Sequence, residues 1–214
     1  MVTTFYRSDL DADIFVPVAE QFDVSVPKYA GDPTYPGESA YAAKELWLYA
    51  SCMSHGCSTD LNSLPTAEKK SGTDTGAPDL TMDRSGAEPF GYMLLAQRYP
   101  SVKALLYYNT VEQYKLVGKG YDMWKGETFN FGGNLDGTLF WPGRPGIEGL
   151  TAHVPVVTVR MKLLREAQNL ADLLSMLDQT WVKTQVGAIM TSPTKWTRSA
   201  TAFDTLQKEA IGKL

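Results

Sequence analysis

Three short apolar segments, each followed at once by polar residues, constrain the fold of this chain more than any other feature. They are residues 13–19 (DIFVPVA), 45–51 (ELWLYAS) and 103–109 (KALLYYN). Segments that are apolar on both faces are typical of buried parallel strands, although Pro17 weakens the first of them. Because helix-like segments alternate with them, the pattern predicts parallel βα units. We expect the three strands to lie side by side and parallel.

Helical periodicity is clearest in residues 154–179, where apolar residues recur every three or four positions and Pro155 suits a first turn. We expect this helix to pack against the structure through a stripe formed by Val156, Leu163, Leu170 and Leu177. Residues 87–99 fit a second helix. A last helix is expected to begin near Thr201, which has capping-box spacing to Asp204. Its buried face would contain Phe203, Leu206 and Ala210.

The connections are polar and rich in glycine and proline. Residues 26–37 read as a loop, and residues 58–78 are long enough to be a surface excursion or a functional loop. Residues 138–141 indicate a short strand. No internal repeat and no domain boundary interrupts the chain.

Three strands cannot close a barrel, since a (β/α)₈ barrel needs eight strands and typically about 250 residues. The 214 residues suffice for one domain. The chain is therefore either an open α/β sheet or the end of a barrel whose other strands lie upstream. The second reading makes residues 1–214 a single partial domain, an incomplete (β/α)₈ TIM-type barrel with C-terminal helices in a tail at 180–214. The strand at 13–19 would then have an unpaired upstream edge, and the chain would be poorly soluble or oligomeric.

Composition and charge exclude several classes of function. The net charge of −4 argues against a nucleic-acid partner, because a duplex binder needs surplus lysine and arginine. No apolar run reaches the roughly 20 residues that span a bilayer. The first residues lack the basic and apolar regions of a signal peptide. The location is left open, and a secreted or cell-envelope parent protein is compatible with the sequence.

Polar residues that directly follow parallel strands matter, because barrel active sites lie at the carboxyl ends of the strands. Such residues occur at 20–23, 51–57 and 107–109, and neighbouring strands would bring them to one rim. The residues that we expect to contact a substrate are Glu20, Tyr49, His55, Tyr107, Tyr108 and Asn109. Glu20 and Asp23 could be paired carboxylates for glycoside hydrolysis, or they could be solvated or helix-capping carboxylates.

The two cysteines, Cys52 and Cys57, could close a small disulfide loop or remain free thiols, and free thiols are the favoured interpretation. A structural zinc site needs four ligands, and beyond His55 the chain could add only His153. A Cys–His nucleophile would lack an orienting acid. No metal and no cofactor is therefore predicted.

The turn at residues 132–137 contains Asn134, Asp136 and Gly137, which superficially resemble a calcium loop. It has too few acidic ligands for one, and a tight turn is the favoured interpretation. Aromatic residues gather near glycine and proline at positions 124–141 and at Tyr107 and Tyr108. Aromatic faces suit the apolar C–H surfaces of sugar rings, although core packing is the favoured interpretation of any single ring.

Several segments in order resemble the C-terminal region of the domain-of-unknown-function family 4091 and the related glycoside hydrolase family 123. The segments are ELWLYASCMSHGC (45–57), LLYYNT (105–110), NLDGTLFWPG (134–143) and VTVRMKLLREAQNLADLL (157–174). The resemblance covers roughly residues 13–179. Its turn and helix are most specific, and Arg160 and Arg165 match the two arginines of the helix signature. Leu135 departs from the family's NGDG turn, where glycine is usual, and Trp141 stands where tyrosine is common.

The resemblance implies retaining hydrolysis of N-acetylhexosaminides, in which a glutamic acid acts as acid/base and an aspartate orients the substrate's own acetamido group. This chemistry is an exception to the two-carboxylate scheme and needs no metal. The resemblance places the two acids as an adjacent Asp-Glu pair on an earlier barrel strand, but no Asp-Glu dipeptide occurs in this chain. The pair is expected upstream or lost, so the isolated chain is expected to be inactive. Arg160 is expected to tie its helix to the barrel.

Two hypotheses of different classes remain. The chain is either the end of a glycosidase whose substrate is an amino-sugar glycan, or a non-catalytic carbohydrate-binding or structural domain. Fold resemblance alone does not establish activity.

Overall fold

The computed structural model describes residues 2–3, 6, 9–23, 37–41, 44–52, 76–112, 119–120, 122–126, 128–130, 133–147 and 149–214. These residues form a mixed α/β fold with small parallel and antiparallel sheets and four helices. The predicted loops at 26–37 and 58–78 lie outside the described residues except for residues 37 and 76–78, and Ser54, His55 and Cys57 also lie outside them.

A four-stranded parallel sheet organises the first half of the chain. Its strands are β1 (Val2–Thr3), β2 (Ile14–Phe15), β3 (Glu45–Ala50) and β4 (Val102–Tyr107), in that spatial order. Each pairs in parallel with the next. The prediction that the three apolar segments lie side by side and parallel is confirmed. Their carboxyl ends therefore meet at one edge of the sheet.

The prediction of an unpaired upstream edge is wrong. The short strand β1 pairs with β2 on that side, with Val2 opposite Ile14 and Thr3 opposite Phe15. The backbone groups on the edge of β2 that we expected to be open are thus paired with β1. Poor solubility or oligomerisation was expected from an open edge of β2, and it no longer follows once β1 pairs with that edge.

Burial alternates along β3, although we expected both faces of the sheet to be buried. In β3, Leu46 and Leu48 are fully buried, whereas Trp47 and Tyr49 are only half-buried. The buried face packs against helices and contributes to the main hydrophobic core. Alternation of this kind is typical of a sheet that is fully covered on one face.

Four helices are described, α1 (Glu88–Arg98), α2 (Val159–Ser175), α3 (Gln179–Ile189) and α4 (Ala200–Ile211). Helix α1 connects to β4 and packs against both α2 and α3. The helix predicted at residues 87–99 is thereby confirmed. The core between the sheet and these helices contains Leu94, Leu95, Leu170, Leu174 and Val186.

The helix predicted over residues 154–179 begins later and ends earlier. Residues Val154–Val157 form β8, which pairs in antiparallel fashion with β7 (Phe140–Gly143). The strand predicted at 138–141 is thus shifted by two residues. Helix α2 starts after Thr158, whose side-chain oxygen accepts a hydrogen bond from the Met161 amide. The β-branched valines find a strand partner in β7, and this overrides their helical spacing.

The stripe predicted for that helix is correct only within α2, where Leu170 is buried and Leu163 is half-buried. Leu177 is half-buried but lies beyond the end of α2, and Val156 belongs to β8. The chain then turns into α3, which the sequence analysis missed and which Asp178 caps by accepting from the Trp181 amide. Two small antiparallel pairs complete the fold, β5 (Phe129–Asn130) with β6 (Gly133–Asn134) and β9 (Met190–Ser192) with β10 (Lys195–Trp196).

The last helix is as predicted apart from its cap. Phe203, Leu206 and Ala210 are buried on one face of α4. The helix begins at Ala200, after Ser199, so the capping box expected from Thr201 is wrong. The Ser199 side chain makes no capping hydrogen bond.

Leu174 and Val159 offer a matched test of the packing of α2. Leu174 is fully buried, whereas Val159 is 70% exposed in the same helix. We expect Leu174→Ala to lower the free energy of unfolding by about 3 kcal/mol, because it deletes buried methyl groups and leaves a cavity. Val159→Ala should change it by less than about 0.5 kcal/mol. Urea unfolding followed by circular dichroism checks both, and equal effects would contradict this packing.

Candidate functional site

Asp136 joins the carboxyl ends of two parallel strands. Its carboxylate is buried and accepts hydrogen bonds from three donors among the described residues. Oδ1 accepts from the Tyr107 hydroxyl at 3.0 Å and from the Gly137 amide at 3.0 Å. Oδ2 accepts from the Cys52 amide at 3.1 Å. Since Tyr107 ends β4 and Cys52 lies two residues beyond β3, the turn at 133–138 clamps the edge where barrel sites lie.

The glycines of this turn permit the close approach. A Cβ at Gly133 would lie 2.7 Å from the Cys52 sulfur, and one at Gly137 would lie 3.1 Å from the Asn109 nitrogen. Gly137 also has φ +72°, a conformation that glycine adopts without steric cost. The favoured interpretation of a tight turn is confirmed.

Leu135 lies in the same turn, and its φ of +59° falls in the left-handed region. A left-handed conformation costs a non-glycine residue roughly 1–2 kcal/mol. The Leu135 side chain is almost completely buried, at 1% exposure. Burial of a leucine side chain contributes roughly 1.5–3 kcal/mol, so it offsets the backbone strain.

Tyr107 is part of the clamp rather than an open contact surface. Burial, and then the neighbouring Asp136 carboxylate, raise the pKa of the Tyr107 phenol well above its ordinary value. The phenol therefore stays protonated at neutral pH, where it donates to Asp136 and accepts from the Gly137 amide at 2.7 Å. Its packing on the core further fixes the ring.

Tyr108 and Asn109 follow at the same edge. Tyr108 is 49% exposed, so its ring is accessible to a ligand. The Asn109 side chain donates to Glu112 Oε2 at 2.6 Å and accepts from the Val111 amide at 2.8 Å. Tyr49 is half-buried within β3. His55 lies outside the described residues.

Glu20 and Asp23 are both buried, and the solvated alternative for them is therefore wrong. Glu20 is fully buried in a 3₁₀ helix at Ala19–Phe22 that follows β2. The Asp23 carboxylate accepts hydrogen bonds from Ser192 Oγ at 2.5 Å and Thr194 Oγ1 at 2.6 Å. Asp23 thus fixes the turn between β9 and β10.

Cys52 is held in a disulfide, and the chain has one other cysteine, Cys57. The favoured interpretation of two free thiols is wrong for Cys52. A disulfide sulfur is neither a zinc ligand nor a nucleophilic thiolate. Among the described residues no cluster of histidine, cysteine, aspartate and glutamate could hold a metal ion.

Arg160 has the structural role that the sequence analysis expected. Its guanidinium donates to the backbone oxygens of Leu80 at 2.6 Å and Leu135 at 3.2 Å through Nη1. It donates to the backbone oxygen of Thr138 at 2.7 Å through Nη2. The planar, multi-donor group thereby ties α2 to the turn that carries Asp136.

A second buried network of hydrogen bonds and ion pairs surrounds the start of α1, and it was not predicted from the sequence. Asp79 accepts from Arg84 Nε at 2.7 Å and from the Thr81 hydroxyl at 2.7 Å. Glu88 accepts from the Asp79 amide at 3.2 Å and from Arg198 Nε at 2.5 Å. Arg198 lies 110 residues beyond Glu88, and no local pattern could connect them.

A cavity of about 380 Å³ adjoins this network. It is lined by residues of the segment 79–89, by Leu135 and Trp141, and by the start of α2 up to Leu163. Its size falls within the range of small-molecule sites. Trp141 also packs edge-on against Trp124, with ring centroids 5.3 Å apart.

The chain matches no protein-family model and no curated protein. Within the described residues, no helix combines the length and apolar character needed to cross a bilayer.

The clamp can be tested at Asp136. Asp136→Asn leaves one side-chain oxygen and replaces the other by a donor, so the new amide must face either the Cys52 or the Gly137 amide. We expect a loss of about 2–3 kcal/mol in the free energy of unfolding, since a buried donor loses its partner. Tyr107→Phe, which leaves two backbone donors on the carboxylate, should cost about 1 kcal/mol. Denaturant titrations of both variants check this, and a neutral Asp136→Asn variant would show that the clamp does not bear on stability.

Glu88 makes stability depend on pH. Burial, reinforced by Asp79 and opposed by Arg198, raises the pKa of Glu88 from 4.5 to about 7. The folded state therefore binds more protons than the unfolded state between these values, and stability falls as pH rises from 4.5 to 7. The contribution is about 3 kcal/mol. Free energies of unfolding measured at pH 5 and pH 8 should differ less in Glu88→Gln than in the wild type, and an unchanged difference would contradict the assignment.

Proposed function

We propose that this chain is the C-terminal part of a (β/α)₈-barrel protein of the glycoside hydrolase type, and that its parallel-sheet edge contacts an amino-sugar glycan. The parent protein would hydrolyse N-acetylhexosaminides with retention of configuration. The alternative is a non-catalytic carbohydrate-binding or structural domain.

The clamp at Asp136 is the observation that carries the proposal. It gathers Cys52, Tyr107 and the turn 133–138 at the carboxyl edge of the sheet. Carboxyl edges of parallel strands are where α/β proteins bind their ligands. A rigid edge of this kind supports side chains that must meet a ligand with little loss of conformational entropy.

Tyr108 provides the surface that suits a sugar. Its ring is 49% exposed, yet its backbone lies against the turn, with its carbonyl oxygen 3.6 Å from the position of a Cβ at Gly137. An exposed aromatic ring on a fixed backbone can stack on the apolar face of a pyranose. Asn109, next in the chain, has an amide held by Glu112 and Val111.

Four buried carboxylates of the chain are engaged in contacts that hold the fold. Asp136 accepts from three donors of the clamp, Asp23 holds the β9–β10 turn, and Asp79 and Glu88 are paired with arginines. The proposal therefore places the catalytic Asp-Glu pair in sequence upstream of this chain. A parent that had lost the pair would correspond to the binding alternative.

The test is an NMR titration of the chain with N-acetylgalactosamine, combined with an assay for turnover of an aryl N-acetyl-β-galactosaminide. We expect binding without turnover. Tyr108→Ala should weaken binding about two- to thirteenfold, since stacking is worth roughly 0.5–1.5 kcal/mol. Tyr108→Phe, which keeps the ring, should bind like the wild type.

Met176→Ala is the matched control, because Met176 is also exposed but lies beyond the end of α2. Binding that Tyr108→Ala leaves unchanged would remove the edge from the proposal. Robust turnover by the chain itself would show that its own carboxylates are sufficient for hydrolysis.

A further inference from the structure

The cavity beside α1 and α2 has a charge arrangement that neither the clamp nor the sugar edge uses. We propose that this cavity binds a small molecule that carries a carboxylate, held by Arg160 at the first turn of α2. The site lies on the helix side of the turn 133–138 and does not depend on the proposed sugar contact at Tyr108.

The charged side chains that line the cavity differ in whether they form ion pairs. Each carboxylate that lines the cavity has a cationic partner, Asp79 with Arg84 at 2.7 Å and Glu88 with Arg198 at 2.5 Å. Arg160 also lines the cavity, but within the described part of the chain it forms no ion pair and donates only to backbone carbonyls. A largely desolvated cation of this kind is costly unless an anion neutralises it.

The electrostatic surroundings of Arg160 support this view. Burial lowers the pKa of the Arg160 guanidinium, while Tyr107, Asp136, Asp79 and Asp83 oppose that shift. The three carboxylates are engaged elsewhere, since Asp136 belongs to the clamp, Asp79 pairs with Arg84 and Asp83 accepts from Asn134. They attenuate the positive charge through space without forming a contact with it.

The Arg160 guanidinium has more N–H donors than the backbone oxygens around it use. A guanidinium has five N–H donors, and Arg160 uses three of them on backbone oxygens of Leu80, Leu135 and Thr138. The N–H of Nε and one N–H of Nη2 have no acceptor among the residues that the structure describes. Two donors on one guanidinium suit the two oxygens of a carboxylate.

Another observation is the sequence at the start of α2. Its first turn contains no acidic residue, although the positive end of a helix dipole favours a negative charge there. Arg160 instead adds a positive charge to that end. An anion at this point would be favoured by both the guanidinium and the dipole.

The remaining lining suggests what the carboxylate is attached to. Leu80, Pro89, Leu135, Trp141 and Leu163 form much of the wall, and together they would contact an apolar or ring-shaped body. The volume of about 380 Å³ is near the lower limit of small-molecule sites. A single-ring acid, such as a uronic acid, fits this combination of charge, wall and size.

The experiment compares glucuronate with glucose, which differ at one carbon, in calorimetric titrations of the full chain, with inorganic phosphate as a third probe. We expect glucuronate to bind in the millimolar range or tighter, and glucose to bind at least tenfold more weakly. Equal binding of the two sugars, no binding of glucuronate, or binding of phosphate in place of glucuronate would overturn the proposal.

Val159 provides the variant, because replacing Arg160 would also release three backbone oxygens. Val159 lines the cavity, begins α2 and is 70% exposed. Val159→Glu places a competing carboxylate at the first turn without disturbing the core, and Val159→Gln is its neutral match. We expect glucuronate to bind at least tenfold more weakly to Val159→Glu than to Val159→Gln, and equal affinities would refute the role of this helix end.

Discussion

The hydrogen bonds to the Asp136 carboxylate are the interaction on which the arrangement of this structure depends. A buried carboxylate is strongly unfavourable unless donors replace its water shell. Here the donors come from three places, the Cys52 amide after β3, the Tyr107 hydroxyl at the end of β4 and the Gly137 amide of its own turn. Satisfying the charge therefore requires that both strands and the turn reach their final positions together.

Arg160 fixes the same turn from the opposite side. It binds the carbonyl oxygens of Leu135 and Thr138, the residues that flank Asp136 and Gly137. The turn is thus held by a carboxylate that faces the sheet and by a guanidinium that belongs to α2. Strain at Leu135, with φ +59°, is tolerated because the surrounding contacts over-determine the conformation. Leucine is thereby accommodated in a backbone conformation that favours glycine.

Local patterns were sufficient for the parallel strands and for the helix at α1, since apolar run length and flanking residues carry that information. They failed at Val154–Val157, where Pro155 suits both a first helical turn and a short strand. Pairing with β7 makes Val154–Val157 a strand rather than the start of a helix. The sequence of one segment does not show which other segment will pair with it. The pairing of β1 with β2 was missed for the same reason.

The position of residues 107–109 at the sheet edge was predictable, because a polar segment that follows a parallel strand must lie at its carboxyl end. The hydrogen bond that Tyr107 donates to Asp136 joins residues 29 positions apart, and the spacing of residues around Asp136 predicted only a tight turn. Burial of Glu20 and Asp23 also depends on distant segments, since Asp23 accepts from Ser192 and Thr194.

The buried acids of this chain illustrate why a carboxylate in a cavity wall is weak evidence for catalysis. Glu88 has a raised pKa and lines a cavity, two properties that mark many catalytic acids. Yet its oxygens accept from Arg198 and from the Asp79 amide, and these bonds join α1 to the segment that precedes α4. A group whose oxygens hold the fold together must break those bonds before it can transfer a proton to a ligand. Arg160 differs, because its three structural hydrogen bonds leave two N–H donors without an acceptor among the described residues. These two donors can bind a ligand while the hydrogen bonds that hold the fold stay in place.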